Sequence, residues 1–243
     1  MMILDAHCHL ELFDKMPKVI PNELSLITMT NTPKTVPKNE EIFGFINDIY
    51  IAVGLHPQLI NSRMKELEYL LELIDTHKFI GEIGIDGESS KIDEQIYVFS
   101  EIITYVDNLG DRVVSIHSKK ADKLVIELLS GLISRNDNIY ILHWYTGSQS
   151  NLNKAIGLGC YFSVNLKMCY SKKGMDIVKK IPKDRLLVET DAPFSEKFDS
   201  LLELKKNLLN TVKKIEDIRG EKLLEIISRN SEKIVKDSKD INL

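Results

Sequence analysis

A (β/α)8 barrel is the fold this sequence predicts, on three observations. Short runs rich in Ile, Val, Leu and Tyr alternate with longer amphipathic segments, as βα units around a buried parallel sheet require. Eight such runs can be counted. Their C-terminal ends often fall ~30 residues apart, and 243 residues suit one barrel, which typically needs about 250.

The expected strands are 3–6, 24–29, 49–54, 79–83, 113–116, 139–142, 160–164 and 185–189. Helical periodicity falls at 62–76, 93–108, 121–134, 149–156 and 172–180, and then at 201–215 and 221–235. Ser62, with Glu66 after it, and Ser200 are expected helix starts, while Gly110 and Gly157 suit helix ends. The first connection departs from this pattern. Only residues 11–23 separate strands one and two, and Pro17 and Pro21 interrupt them, so a truncated first helix is expected. No linker or low-complexity tract divides the chain, which is expected to form one domain over 1–243.

Composition narrows the function. Hydrophobic residues make up 43% and charged residues 28%, which excludes a disordered chain. The net charge of −4 gives no global attraction to nucleic acid, so phosphate binding must come from a local patch or from bound cations. Cys8, Cys160 and Cys169 form no CxxC pair and are odd in number, which argues against a disulfide framework. The opening Met-Met-Ile-Leu-Asp-Ala-His-Cys-His is too short and polar for a signal peptide, and no apolar run approaches the ~18 residues of a membrane span. A soluble, cytoplasmic protein with no membrane partner is expected.

The histidines carry the chemistry. Of six, five stand at C-terminal strand ends: His7 and His9 on strand one, His56 on three, His117 on five and His143 on six. Glu82 ends strand four and Asp191 follows strand eight. Those ends form the active face of a barrel. The spacing His7-x-His9 aims both rings to one side of an extended strand. With Glu82, His117, His143 and Asp191 the set offers four imidazoles and two carboxylates. It suits one or two divalent ions (Mg²⁺, Mn²⁺ or Zn²⁺), with a carboxylate bridging if there are two. The nitrogen content leans away from a pure Mg²⁺ site.

Singly, each residue has a plainer reading. His7 and His9 could be surface residues, Glu82 could close a turn between glycines, His117 and His143 could be core histidines, and Asp191 could cap a helix. Their joint placement on one face favours a site. His77 reads as a solvated surface residue, and Cys8, between the two histidines, as packing toward the helix layer. Trp144 and Tyr145 follow His143, as mouth lining or as structural aromatics. Lys119, Lys120 and Lys167 lie just beyond strand ends and are the better phosphate-contact candidates among many solvated lysines.

Six ordered motifs then resemble the TatD-like hydrolases: Asp5-Ala6-His7-Cys8-His9-Leu10, Gly54-Leu55-His56-Pro57, Gly81-Glu82-Ile83-Gly84-Ile85-Asp86, Ile116-His117-Ser118, His143 with Gly147-Ser148, and Glu189-Thr190-Asp191-Ala192-Pro193. The match runs from Met1 to about Lys236 and includes Ile218-Arg219-Gly220 and Asn230. The resemblance implies a TIM barrel of the metallo-dependent hydrolase type. In it His7, His9, Glu82, His117, His143 and Asp191 bind metal, and His56 is a non-ligand histidine of the site. Many relatives are Mg²⁺- or Mn²⁺-dependent deoxyribonucleases, which makes nucleic acid, DNA in the first place, the implied partner. Three departures touch the substrate rim: Phe194-Ser195-Glu196-Lys197-Phe198 replaces a longer loop, Ile96 follows Gln95, and Gly87 follows Asp86. The short first connection and Gly84-Ile85-Asp86-Gly87 also resemble the TatD-like component of the Qat anti-phage system, which would imply protein partners.

The expected chemistry is phosphodiester hydrolysis by a metal-activated water. Asp191 is the expected proton acceptor, Glu82 the bridge, and His56 a phosphate contact or acid to the leaving oxygen. Asp86, Lys119, Trp144 and Lys167 join His56 as candidate substrate contacts. Two rival readings are an amidohydrolase acting on a C–N or ester bond and a non-catalytic subunit of a defence complex. Against the first, Glu82 stands where a carbamylated lysine would bridge the ions.

Overall fold

A computed structural model describes residues 1–14, 20–135 and 137–236. Eight parallel strands close into a barrel in chain order. They are β1 (Ile3–Cys8), β2 (Leu24–Met29), β3 (Ile49–Val53), β4 (Phe79–Gly84), β5 (Val113–His117), β6 (Ile139–His143), β7 (Tyr161–Val164) and β8 (Leu186–Val188), with β8 paired back to β1 through Val188 and Asp5. Every expected strand is present.

Alternation of side chains builds two apolar layers from each strand. Leu4, Ala6, Ile27, Met29, Phe79, Val113, Ile141, Tyr161 and Leu187 fill the barrel interior. Ile3, Leu26, Ile80, Val114, Leu142 and Phe162 instead pack outward, among the helices. Such two-sided burial is why the strands read as continuous apolar runs.

The outer layer comprises α1 (Val36–Phe43), α2 (Ile60–Arg63), α3 (Leu67–Thr76), α4 (Ile92–Leu109), α5 (Asp122–Leu132), α6 (Gln149–Gly157), α7 (Lys172–Lys180) and α8 (Leu201–Arg219), and α9 (Leu224–Val235) ends the described chain. Ile234 of α9 reaches the interior layer beside Leu4 and Leu187, closing the floor of the barrel. That leaves the C-terminal ends of the strands as the open face.

The first connection holds only the 3-10 turn Leu10–Leu12 among its described residues, as the short spacing anticipated; Pro17 lies outside them. Helix α1, between β2 and β3, was not anticipated. Pro33 and Pro37 obscure it, yet Pro37 sits in the first turn, where its missing N–H costs nothing, and Val36, Asn39 and Phe43 bury one face. Ser200 caps α8 by accepting from the Glu203 N–H, and Gly110 ends α4 with φ 73°. One expected cap differs. Ser62 lies inside α2 instead of starting a helix, whereas Gly157 is the last residue of α6, as expected, with the left-handed Gly159 two residues on. His77 is not a solvated residue: it is half-buried, with Nδ1 2.8 Å from the Leu73 carbonyl and Nε2 3.3 Å from Glu40 of α1. Among the described residues no helix is long and apolar enough to cross a membrane.

Candidate metal centre

Two strands break their alternation to build this site. With Leu4 and Ala6 inside the barrel, a regular β1 would turn His7 outward and Cys8 inward. Pairing steps instead from Asp5 with Leu26 to Cys8 with Thr28, so three steps on β1 match two on β2. This bulge sends Cys8 to the helix layer and His7 into the barrel, with His7 Nδ1 2.8 Å from Ser115 Oγ. On β4 the pairing steps from Ile80 with Val114 to Ile83 with Ile116. Phe79 faces inward and both Ile80 and Ile83 outward, which leaves Glu82 facing inward. The bulge presses on β3, where a Cβ on Gly54 would lie 2.3 Å from the Gly81 carbonyl carbon. His117 and His143 need no such device, being in phase with the interior residues Val113 and Ile141, while Asp191 lies past the end of β8 on left-handed backbone.

Around Glu82 the donors fall into two groups. Its Oε2 lies 3.4 Å from both His7 Nε2 and His9 Nε2, which are themselves 3.3 Å apart. Asp191 Oδ1 completes this group at 3.8 Å from His7 and 3.5 Å from His9. Oε1 faces the other way, 2.7 Å from His117 Nδ1, 2.9 Å from His143 Nε2 and 3.5 Å from His56 Nε2. Three sets of ligand atoms each lie within 4.8 Å of one another: His7, His9 and Glu82; His7, His143 and Asp191; His56, Glu82 and His117. Nitrogen and carboxylate donors converging this closely in a buried site suit a divalent cation better than they suit one another.

Further groups hold these donors in place. Asp86 Oδ2 lies 3.2 Å from His117 Nε2 and accepts from Gln58 Nε2 at 2.6 Å. Glu189 Oε2 lies 3.8 Å from His143 Nδ1 while Ser163 Oγ and Asn165 Nδ2 donate to the same carboxylate. Asp5 accepts from the Thr190 N–H at 2.9 Å and from Thr190 Oγ1 at 2.5 Å, and the Asp191 N–H donates to the His7 carbonyl at 2.8 Å. These bonds lock the loop carrying Asp191 onto β1. Ser115, Gln58 and Glu189 were not anticipated. Ser115 and Glu189 precede His117 and Asp191 by two residues, so the same alternation that reveals the donors also places these two on the inner face.

The electrostatics follow from burial and these partners. Burial, then the charge on His143, lowers His7 to about 3. Burial also opposes charge on His9, but hydrogen bonds to Asp191 and Glu82 raise it to about 9. For His143, Glu82 and Glu189 outweigh burial and hold the imidazole well above its usual range. Glu82 stays well below the carboxylate range because His56, His143 and His7 outweigh its burial. Burial raises Glu189, and it raises Asp5 to about 7 despite the Thr190 bonds.

A cavity of about 650 Å³ opens above Glu82, with His56, His117, His143, Trp144, Asp191 and Phe194 in its lining. His56 Nδ1 accepts from the Gln58 N–H, which puts the ring proton on Nε2, facing the donors. Phe194 is 59% exposed and meets the His9 ring edge-on at 5.0 Å. Trp144 and Asp191 both adopt left-handed backbone, φ 38° and 52°, as do Glu23, Asp48, Asp111 and Lys120 outside the cavity lining. Lys119 also reaches the lining but is ion-paired to Glu88 at 2.6 Å. Lys167 lies behind it, 5.8 Å from the Trp144 ring centroid. Asp86 is not brought to the cavity surface: it is fully buried, its carboxylate taken up by His117, Gln58 and the Glu88 N–H.

The family described as TatD related DNase matches residues 4–236. The chain belongs to the TatD family. An uncharacterized metal-dependent hydrolase of Methanocaldococcus jannaschii is 23% identical over 96% of this chain and 96% of its own. The TatD-family 3'-5' ssDNA/RNA exonuclease of Edwardsiella piscicida is 31% identical over 70% of this chain and 67% of its own. Among solved structures, the TatD homologue YJJV of Escherichia coli superimposes with a TM-score of 0.79 at 19% identity, covering 96% of this chain and 97% of that one. Its likeness extends the TatD assignment to the fold.

Proposed function

We propose that this TatD-family hydrolase cleaves phosphodiester bonds of DNA, with one or two divalent ions held by His7, His9, Glu82, His117, His143 and Asp191. One observation carries the reading: the two oxygens of Glu82 face two separate groups of donors, the arrangement a bridging carboxylate requires. The name of the Edwardsiella relative supports a nucleic acid substrate.

Bound divalent ions would supply a water of lowered pKa and neutralise charge on the phosphoryl oxygens. The remaining work falls to side chains. Asp191, 6% exposed at the cavity edge, accepts the proton of the attacking water. His56 directs its Nε2–H into the cavity, toward a phosphate oxygen or the leaving oxygen. Asp86 fixes the ring of His117, as a carboxylate behind a ligating histidine does, while Glu189 stands 3.8 Å behind His143 Nδ1 and acts on it by charge. Trp144 and Phe194 offer flat apolar walls for a base beside the scissile bond.

End-labelled oligonucleotides incubated with Mg²⁺, Mn²⁺ or Zn²⁺, beside a chelator control and a panel of N-acyl and ester substrates, test the reading. Metal-dependent cleavage of the oligonucleotides alone supports it, and turnover of the acyl substrates alone would overturn it in favour of amidohydrolase chemistry. A finer reading, a nuclease working with protein partners in phage defence, rests on the resemblance of the short first connection and Gly84-Ile85-Asp86-Gly87 to the TatD-like component of the Qat anti-phage system. Co-purification of a stoichiometric partner from a host carrying the natural gene neighbourhood tests it.

A further inference from the structure

We propose that single-stranded nucleic acid runs from the cavity into a second groove along two lysine–aromatic pairs, Lys167 over Trp144 and Lys214 over Tyr170. The inference rests on the nuclease reading of the cavity, takes the single strand from the name of the Edwardsiella relative, and adds the path that strand follows.

Trp144 lines the cavity with Lys167 Nζ 5.8 Å from its ring centroid. Lys167 caps the 3-10 turn Met168–Tyr170, which at about 2 Å per residue carries the backbone about 6 Å on to Tyr170. There the arrangement recurs: Tyr170 is 65% exposed, with Lys214 Nζ 5.4 Å from its centroid. Tyr170 and Lys214 line a groove of about 400 Å³ with Met175, Lys179, Ile218 and Asp217, the single acid in that lining among the described residues.

Many of the cations near the cavity and on other helices are compensated. Lys119 and Lys120 are paired with Glu88, Lys123 with Glu127, and Arg135 with Asp137. Among the described residues no acid pairs with Lys167, Lys172, Lys173, Lys179 or Lys214. Five lysines without a carboxylate partner therefore lie together on the turn before α7, on α7 and on α8, beginning beside Trp144 of the cavity lining. Flat rings interleaved with lysines are how an unpaired strand is held, since every unstacked base offers a π-face and every nucleotide a phosphate. A duplex keeps its bases stacked and has nothing to lay on Tyr170.

The test compares the wild-type protein with Tyr170→Ala/Lys214→Ala, with Lys179→Ala, and with Lys38→Ala/Lys65→Ala, which removes two lysines elsewhere. Binding of fluorescent oligothymidylates of two and fifteen nucleotides is followed by anisotropy in chelator across a salt series. For Tyr170→Ala/Lys214→Ala the Kd for the fifteen-mer is expected to rise about tenfold, with dinucleotide affinity changed less than about twofold. Each lysine removed from the groove should reduce the slope of log K against log salt by about 0.7. Lys38→Ala/Lys65→Ala should leave both unchanged. Unchanged fifteen-mer affinity in the double variant, an equal loss in the control, or tighter binding of duplex than of single strand would overturn the path. If wild type binds the fifteen-mer through Tyr170 and Lys214 but cleaves no oligonucleotide with any ion, the catalytic reading fails and the path stands.

Discussion

His7 Nε2 and His9 Nε2 lie 3.3 Å apart, and Glu82 Oε2 is 3.4 Å from each. Four lone-pair-bearing groups, Asp191 among them, meet there at the buried base of the cavity. Something positive must sit among them, a proton or a cation, and the properties of the site follow from which one does.

Removing the shared carboxylate should dismantle both donor groups at once. Glu82→Gln is expected to lower turnover more than about 100-fold and to weaken metal uptake at least as much as loss of an orienting partner would. Metal content after equilibrium dialysis, beside a thermal melt of the metal-free protein, checks this. A variant that keeps wild-type metal content contradicts the bridging role.

Proton and metal should compete. His9, raised to about 9, carries a proton at pH 7 in the metal-free protein, and Glu82 and Glu189 favour the protonated form of His143 against burial. Metal binding must expel the His9 proton, so apparent affinity rises with pH, about tenfold per pH unit for that proton, until about pH 9. The same raised value stabilises the metal-free fold fully below the unfolded pKa of about 6.5, and that contribution is lost as pH rises through about 9. Metal titration in weak buffer with a pH indicator reads the release; no acidification on adding metal would count against it.

Orienting groups should matter without touching substrate. Ser115→Ala removes the partner of His7 Nδ1, and Glu189→Gln removes the charge behind His143. Each is expected to cost about 10- to 100-fold in metal affinity. Competition with a chromogenic chelator measures it, and wild-type affinity in both variants would show that packing alone orients the rings.

Backbone crowding around the site gives a stability prediction. Gly84 has φ 141°, and a Cβ there would lie 2.1 Å from the His117 carbonyl oxygen. Gly84→Ala is expected to destabilise the fold by about 1–3 kcal/mol or more, because β4 must move from β5. Urea denaturation checks the value.

The barrel, its open face and the donor residues are legible in the sequence because they follow from local periodicity. Eight apolar runs announce the strands, and histidines at their ends announce the face. The bulges on β1 and β4 are not legible. Ala6 and His7 are adjacent, yet both face inward, and only the pairing with β2 reveals the extra residue. Long-range partners are hidden in the same way. Nothing local ties Lys119 and Lys120 to Glu88 or leaves Lys167 without an acid. Asp86 stands beside the site motif like a substrate contact, but its carboxylate is spent inside the fold on His117 and Gln58. Helix α1 is masked by prolines that are harmless in a first turn and fatal in a helix interior.

The most direct measurement is an anomalous difference map from crystals of the protein equilibrated with Mn²⁺ or Zn²⁺. Peaks are expected on one or both sides of Glu82, bounded by His7, His9 and Asp191 on the Oε2 side and by His117 and His143 on the Oε1 side. A map with no peak within coordination distance of Glu82 at saturating metal, or with peaks only elsewhere, would contradict the account.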